Sequence, residues 1–319
     1  MSSVAGDIGS RVLAQAAQRW AAIDPLLPAP ALPTGCGTDL VAAGTGGPAP
    51  AVGACEHWVG EPGSMDLTWG AARRFKLTPQ LAGPDVADGL DELLSVWREH
   101  LAGAPGSAQE DTAAVISWPT RDIDGVKPLL RHGLAPLAVI AARTAGRGPA
   151  GRAARAGLRI RRAGPADLGS VAELGMATVR YDAHFGTVIE RPHSAAALRR
   201  DTAPLLAAVD PWIWLAEWDG APVGLLYAEP PEAAGWIAPM TGLAPVAYLE
   251  LMVVQPGLRG QGVGAALVDE FHRTADAAGV AVTLLHYEQL NPLSGPFWSH
   301  RGYRPLWTSW EARPALTLR

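Results

Sequence analysis

The chain has 319 residues, more than one ordinary domain holds and comfortable for two. Hydrophobic residues make up 48% and charged residues 18%, a core-rich globular balance, while Lys+Arg 26 against Asp+Glu 31 leaves a net charge of −5, which argues against a nucleic-acid-binding surface. No apolar run approaches the ~20 residues of a membrane span, the first residues lack the apolar stretch of a signal peptide, and Cys36 and Cys55 alone make neither a disulfide framework nor a four-ligand zinc site. The expectation is a cytoplasmic protein, monomer or homodimer, with no metal, no membrane and no nucleic-acid partner.

In chain order, the first irregular stretch is Pro25–Pro50, punctuated by Pro28, Pro30, Pro33 and Pro48. It reads as a long structureless connection inside the first domain. Two apolar strands, Leu137–Ala142 and Leu158–Ile160, flank the small, basic, glycine-rich run Arg143–Gly157, which reads as a linker. The domain expectation is therefore 1–145, a linker at 146–156, and 157–319.

Beyond the linker the pattern predicts a strand at Leu158–Arg162 and helices at Asp167–His184 and Ser194–Ala208. Trp212–Glu217 and Pro222–Ala228 flank Asp219-Gly220, the signal of a hairpin turn. Pro230–Ala244 reads as a loop. A strand at Ala247–Val254, a helix at Gly262–Ala278, a strand at Ala281–His286, a short helix at Pro292–Arg301 and a strand at Arg304–Ala312 complete an α/β layer fold on a mixed sheet.

The two halves also resemble each other. Leu77–Leu94 aligns with Val254–Phe271 at one offset, so that Pro79, Leu81, Gly83, Val86 and Leu90 fall on Pro256, Leu258, Gly260, Val263 and Leu267. Further on, Gly133 and Pro136 fall on Gly302 and Pro305. One series of strands and helices is expected to occur twice.

The most informative segment is Leu249–Leu267, where an apolar strand ends at Pro256 and Arg259-Gly260-Gln261-Gly262-Val263-Gly264 opens an apolar helix. Glycines at alternate positions leave backbone N–H groups free to converge on an anion, and the helix dipole faces the same spot. The G-x-G-x-x-G spacing of a dinucleotide fold and the Gly-Lys-Ser/Thr ending of a Walker loop are both absent. Arg259, Gly262 and Gly264 instead resemble the Arg/Gln-x-x-Gly-x-Gly/Ala turn of the Gcn5-related N-acetyltransferases (GNAT). Asn291 through Tyr303, with the aromatic pair Phe297-Trp298, resembles that family's later block. The resemblance covers residues 157–319, and the first half resembles a degenerate copy. It implies tandem domains of α/β class (an α+β mixed sheet), each a mostly antiparallel mixed sheet flanked by helices.

The resemblance implies transfer of an acyl group, usually acetyl, from acetyl-CoA to an amine of a small molecule or peptide by direct attack. Met252, Val253 and Val254 would pair their backbone with the pantetheine arm of coenzyme A. The amides of Leu258, Arg259, Gly260, Gln261, Gly262, Val263, Gly264 and Ala265 would hold the pyrophosphate, with Asn291, Ser294, Phe297 and Trp298 along the pantetheine channel. Asn291 also suits a cap at a turn. An ammonium acceptor must lose a proton before attack. Glu250, a carboxylate in an apolar strand, is either that base or the partner of a buried arginine. His286, closing a strand, either relays the proton or is simply hydrogen-bonded there. The family's thiolate-protonating tyrosine is replaced by Trp298, whose indole is no acid, which leaves water, Ser299, His300 or Tyr303. Tyr181, His184 and Trp236 either line an acceptor pocket or pack in the core, and Asp182 and Glu190 either meet a cationic amine or are solvated.

In the first half, Ala82 and Asp85 stand for Arg259 and Gly262, Arg73 for Glu250, and Asp122 for Asn291. An aspartate repels a pyrophosphate, so no coenzyme A is expected there. Two other readings remain: a non-catalytic coenzyme A or metabolite-binding or scaffold module, and a transferase using a bulkier acyl-CoA.

Overall fold

The computed structural model describes residues 2–33, 35, 37–44, 47, 49–148 and 156–319, without the side chains of 2–8. Cys36, Pro48 and most of the expected linker lie outside the described residues. The chain forms two compact units: residues 1–60, 71–139 and 306–319 make the first, and residues 61–70 and 140–305 the second.

The first unit contains α1 (Ser2–Ile23), β1 (Asp39–Ala43), β2 (Ala51–Val59), β3 (Arg73–Leu81), α2 (Val86–Gly103), β4 (Thr112–Pro119) and α3 (Val126–Arg131). Next in the chain comes β5 (Ala135–Thr144). Of the chain's later elements, the second unit contains β6 (Leu158–Arg162), α4 (Leu168–Asp182), α5 (Ser194–Leu206), β7 (Ile213–Trp218), β8 (Ala221–Glu229), β9 (Val246–Val254), α6 (Val263–Ala277), β10 (Val282–Glu288) and α7 (Ser294–His300). The last strand is β11 (Arg304–Ala312). Each unit is thus a mixed α/β fold.

In the first unit the strand order is β1-β2-β3-β4-β11, with β3 and β4 parallel and β4 and β11 antiparallel. α2 covers the sheet because Val86, Leu90, Leu93, Leu94, Trp97 and Leu101 recur at helical spacing and are all buried. They share a core with Leu77, Ile116 and Trp310. The second unit runs β5-β10-β9-β8-β7-β6, with β9 and β10 parallel and β8 and β9 antiparallel. Asp219 and Gly220 both take positive φ (49° and 83°), the left-handed pair that a tight hairpin between β7 and β8 requires.

The expected repeat is visible in the elements. α2 begins at Val86 and α6 at Val263, and each follows the first strand of a parallel pair. Pro79 lies within β3, however, whereas Pro256 opens a 3-10 turn after β9. Two features differ from the sequence reading. Pro25–Pro50 is not structureless: β1 lies inside it and pairs antiparallel with β2 from Asp39↔Cys55 to Ala43↔Ala51, its alternating apolar residues being too few to stand out. The compact units also do not follow the halves of the chain. β11 completes the first unit's sheet. The end of β5 lies in the second unit, where Thr283 Oγ1 meets the Arg143 carbonyl and the Ala145 amide donates to the Ala281 carbonyl at 3.0 Å.

The helix α1 packs on the first unit's version of the glycine turn. Val12 is buried with Val52 and Ala82, and the Gln15 Oε1 accepts from the Gly83 amide at 2.9 Å. Arg19 pairs with the buried Asp122 carboxylate and lies 5.6 Å from the Trp118 ring centroid. Gly83 and Asp122 are the counterparts of Gly260 and Asn291. Side chains of α1 therefore engage both of these positions in the first unit.

Candidate active site

The second unit's central strand changes partners along its length. β9 and β10 are in register only from Val246↔Val282 to Leu249↔Leu285, and both strands continue beyond. On its other side β9 stays paired with β8 as far as Val254. The strands thus splay at Leu249, leaving main-chain groups between Glu250 and Val253 unpaired by β10. Beside this splay lies a cavity of about 280 Å³, whose walls include Met252, Val253, Val254, Phe297 and Trp298.

At the end of the cavity is the glycine turn. Gly260 and Gly262 take φ of 75° and 91°, which a side chain would strain, and Gly262 caps α6. The amides of Leu258 and Arg259 are engaged within the turn, with the Gln255 carbonyl (2.9 Å) and the Pro256 carbonyl (3.3 Å). The Ala266 amide bonds the Gly262 carbonyl at 3.0 Å. Among the described residues, the amides between these, Gly260 through Ala265, carry no acceptor. The row of free amides therefore starts two residues later than the sequence predicts, because a 3-10 turn uses the first two donors. Leu258 and Arg259 reach the cavity with their side chains instead. The Arg259 guanidinium lies 4.6 Å from the Tyr181 ring centroid, and its Nε donates to the Val254 carbonyl at 3.4 Å. Gln261 donates back to the Gly257 carbonyl (3.3 Å), and the Val263 side chain is buried.

Opposite the turn, Asn291 does two things: its Oδ1 accepts from the Leu293 amide at 3.0 Å, capping the approach to α7, and its Nδ2 donates to Asp182 at 3.2 Å. Asp182 is therefore not a solvated carboxylate; it lines the cavity. Burial raises its pKa to about 6, against the lowering effects of Asn291 and Arg259. Ser294 and Thr178 also line the cavity, and the buried Thr178 Oγ1 has no hydrogen-bond partner.

Of the three acid candidates, none lines the cavity among the described residues. Tyr303 is buried and engaged by His272 Nε2 (3.1 Å) and Thr283 (3.0 Å). Ser299 is exposed, and so is His300, whose Nδ1 lies 2.7 Å from the Pro296 carbonyl.

Glu250 sits at a register shift. Tyr227 faces Leu251 and Ala228 faces Leu249, so Glu250 is the extra residue of a bulge on β9. Alternation holds beyond it: Leu251 and Val253 enter the core while Met252 and Val254 are half-buried on the other face, and the bulged Glu250 is itself half-buried, close enough to Tyr227, Tyr248 and Glu229 for their charges to interact. Among the described residues no arginine accompanies Glu250. Its pKa is pushed up to about 8, by burial first and then by the Glu229 and Asp66 carboxylates.

Around it, Glu229 Oε2 accepts from the Trp236 indole at 2.7 Å, Trp236 meets Tyr248 edge-on at 4.9 Å, and the Tyr248 hydroxyl lies 2.9 Å from His286 Nδ1. Desolvation by the surrounding protein lowers the His286 pKa. Trp236 is 56% exposed, so it is no core residue. His184 stands apart, exposed at the end of α4, its Nδ1 2.9 Å from the Arg180 carbonyl. Tyr181 lies on the cavity wall beside Arg259. Glu190 is paired on the surface with Arg180 at 3.1 Å.

Glu229, Tyr248 and Thr178 escaped the sequence reading. Glu229 ends a strand that was expected to stop at Ala228, and only the register of β8 on β9 brings it to Tyr248.

A parallel strand pair that splays beside a bulge, with a glycine turn opening the next helix, defines an acetyltransferase-type fold. The sequence profile of the Acetyltransferase (GNAT) family matches residues 181–303, and the second unit carries a domain of that family. Two solved structures resemble most of the chain. A GCN5-related N-acetyltransferase from Sphaerobacter thermophilus has a TM-score of 0.54 at 14% identity, over 84% of this chain and 82% of that one. A tandem GNAT protein from the clavulanic acid biosynthesis pathway has a TM-score of 0.50 at 14% identity, over 97% of this chain and 95% of that one. At such identity these likenesses establish fold. No curated protein matches the sequence.

Proposed function

We propose that the second unit transfers an acyl group, most simply acetyl, from acetyl-CoA to an amine. The observation that carries this reading is the meeting, at one cavity, of a splayed strand with the acceptor-free stretch Gly260–Ala265, of which Gly260 and Gly264 line the cavity wall. The residues present fit the donor. The free amides and helix dipole suit a pyrophosphate, Arg259 adds a positive charge, and the walls of Met252, Val254, Phe297 and Trp298 suit an apolar arm. The buried Thr178 Oγ1 lacks a partner that a polar pantetheine group would supply.

Acetyl-CoA would bring an activated thioester whose carbon is open to attack and whose sulfur would leave as a thiolate protonated by water, tolerable for a thiol with a pKa of about 8.5. The chain's own residues would do the rest. Backbone groups of Met252–Val254 hold the arm as an added strand. Glu250 takes the proton of the incoming ammonium, a task for which a pKa near neutrality is suited. The bulge takes this carboxylate out of the regular alternation of β9 and leaves it beside Glu229 and Tyr248. His286 and Tyr248 form a hydrogen-bonded pair next to it through which a proton passes toward solvent.

Trp298 on the cavity wall, with Tyr303 engaged elsewhere, favours a second reading: binding without turnover. Thiol release from acetyl-CoA over an amine panel separates the two. Turnover that falls by about 10²–10⁴ in Glu250→Gln supports the enzyme. Binding without thiol release in any amine supports the sensor.

A further inference from the structure

Resting on the acyltransferase reading, we infer that the acceptor is an amine with a second positive charge, held by the Glu229 carboxylate against the Trp236 ring. The acceptor side of the site is anionic and aromatic. Glu229 closes β8 directly across from Tyr248, and one of its oxygens, Oε2, is used by the Trp236 indole N–H at 2.7 Å. Among the described residues its Oε1 has no partner, and neither does the Glu250 carboxylate. The charges that bear on Glu250 are those of Glu229 and Asp66, both carboxylates.

Charge balance selects the occupant. A reacting amine delivers its proton to Glu250 and must be neutral when it attacks, so it compensates Glu250 and nothing else. The half-buried Glu229 then keeps a negative charge beside a low-dielectric wall, an unfavourable state that a second ammonium relieves. Trp236, 56% exposed and held by its N–H bond, offers a fixed ring face to such a cation. The buried Tyr248 backs the Trp236 ring edge-on at 4.9 Å, and both Tyr248 and Tyr227 sense the Glu229 and Glu250 charges. A metal ion does not suit the place, since no three His, Cys, Asp or Glu groups among the described residues converge tightly enough to ligate one. A monoamine of equal length leaves Glu229 unpaired.

Matched probes test this. With acetyl-CoA saturating, putrescine and cadaverine are compared with butylamine and pentylamine as acceptors. The diamines should show a kcat/KM advantage of about tenfold or more, reduced by salt. In Glu229→Gln, whose amide oxygen still accepts from Trp236, the ratio of diamine to monoamine kcat/KM should fall toward one, whatever change in both follows from removing a carboxylate beside Glu250. Equal kcat/KM for diamines and monoamines, or an advantage that survives Glu229→Gln, overturns the inference and leaves the acyltransferase reading standing. If no amine is turned over, melting shifts on the acetyl-CoA-saturated protein read the same contrast: larger shifts with diamines, lost in Glu229→Gln, support the second-cation site, and equal shifts refute it. The shift caused by acetyl-CoA alone reports separately on the donor site.

Discussion

Glu250 holds its proton up to a pH where a free glutamate has long lost it, and two measurable consequences follow with opposite readouts. If Glu250 is the base, it works only when ionised. Activity should then rise with pH through a midpoint near 8, and Glu250→Gln should remove that limb; rates of thiol release from pH 6 to 10 check this. Stability runs the other way. The folded-state pKa is raised from the ordinary 4.5 to about 8, so the native state binds more protons than the unfolded one between those values. This carboxylate therefore costs stability increasingly as pH rises through that window. Glu250→Gln should melt above the wild type at pH 8 and beyond, with the gap closing below pH 4.5. Both the candidate base and the glycine turn were legible in the sequence, because a carboxylate in an apolar strand and alternate glycines before a helix stand out locally. Glu229 was not, since its place depends on which residue of β9 forms the bulge.

At the scale of elements, the same glycine turn occurs twice with opposite fates. In the second unit the amides of Gly260–Ala265 are free, while in the first the Gly83 amide is taken by Gln15 and Asp122 is taken by Arg19. Arg19→Ala leaves the 3%-exposed Asp122 without its cation, and should cost about 3–5 kcal/mol in denaturant unfolding of the intact chain. The paired change Arg19→Met with Asp122→Leu should cost much less, because both charges go together. An unchanged midpoint in Arg19→Ala would mean that α1 is not seated as described. The helix α1 escaped the sequence reading because its run of small residues, Ala14–Ala22 among them, gives a weak apolar stripe. The hairpin at Asp219-Gly220 was legible because its turn chemistry is local.

At the scale of the whole molecule, the last strand belongs to the first unit and the end of β5 to the second. Trp310, Ala312, Ala315 and Leu318, all near the chain's end, lie in the first unit's core. A fragment of residues 157–319 would carry those residues with no core to enter and would lack β5. It should therefore give poor solubility and no cooperative melting, whereas the full chain melts cooperatively. A well-folded fragment would contradict this exchange of strands. Order along the chain cannot reveal such an exchange, because each strand's pattern is the same whichever sheet it joins.

The central claim is that the amides opening α6 receive the acyl donor. Titration calorimetry with acetyl-CoA tests it most directly. The full chain should bind one equivalent. Gly262→Asp, which puts a carboxylate in the cradle at a φ of 91° and costs roughly 1–2 kcal/mol of backbone strain, should bind none while still melting cooperatively. Binding that persists undiminished in Gly262→Asp, or two equivalents per chain, would contradict the account.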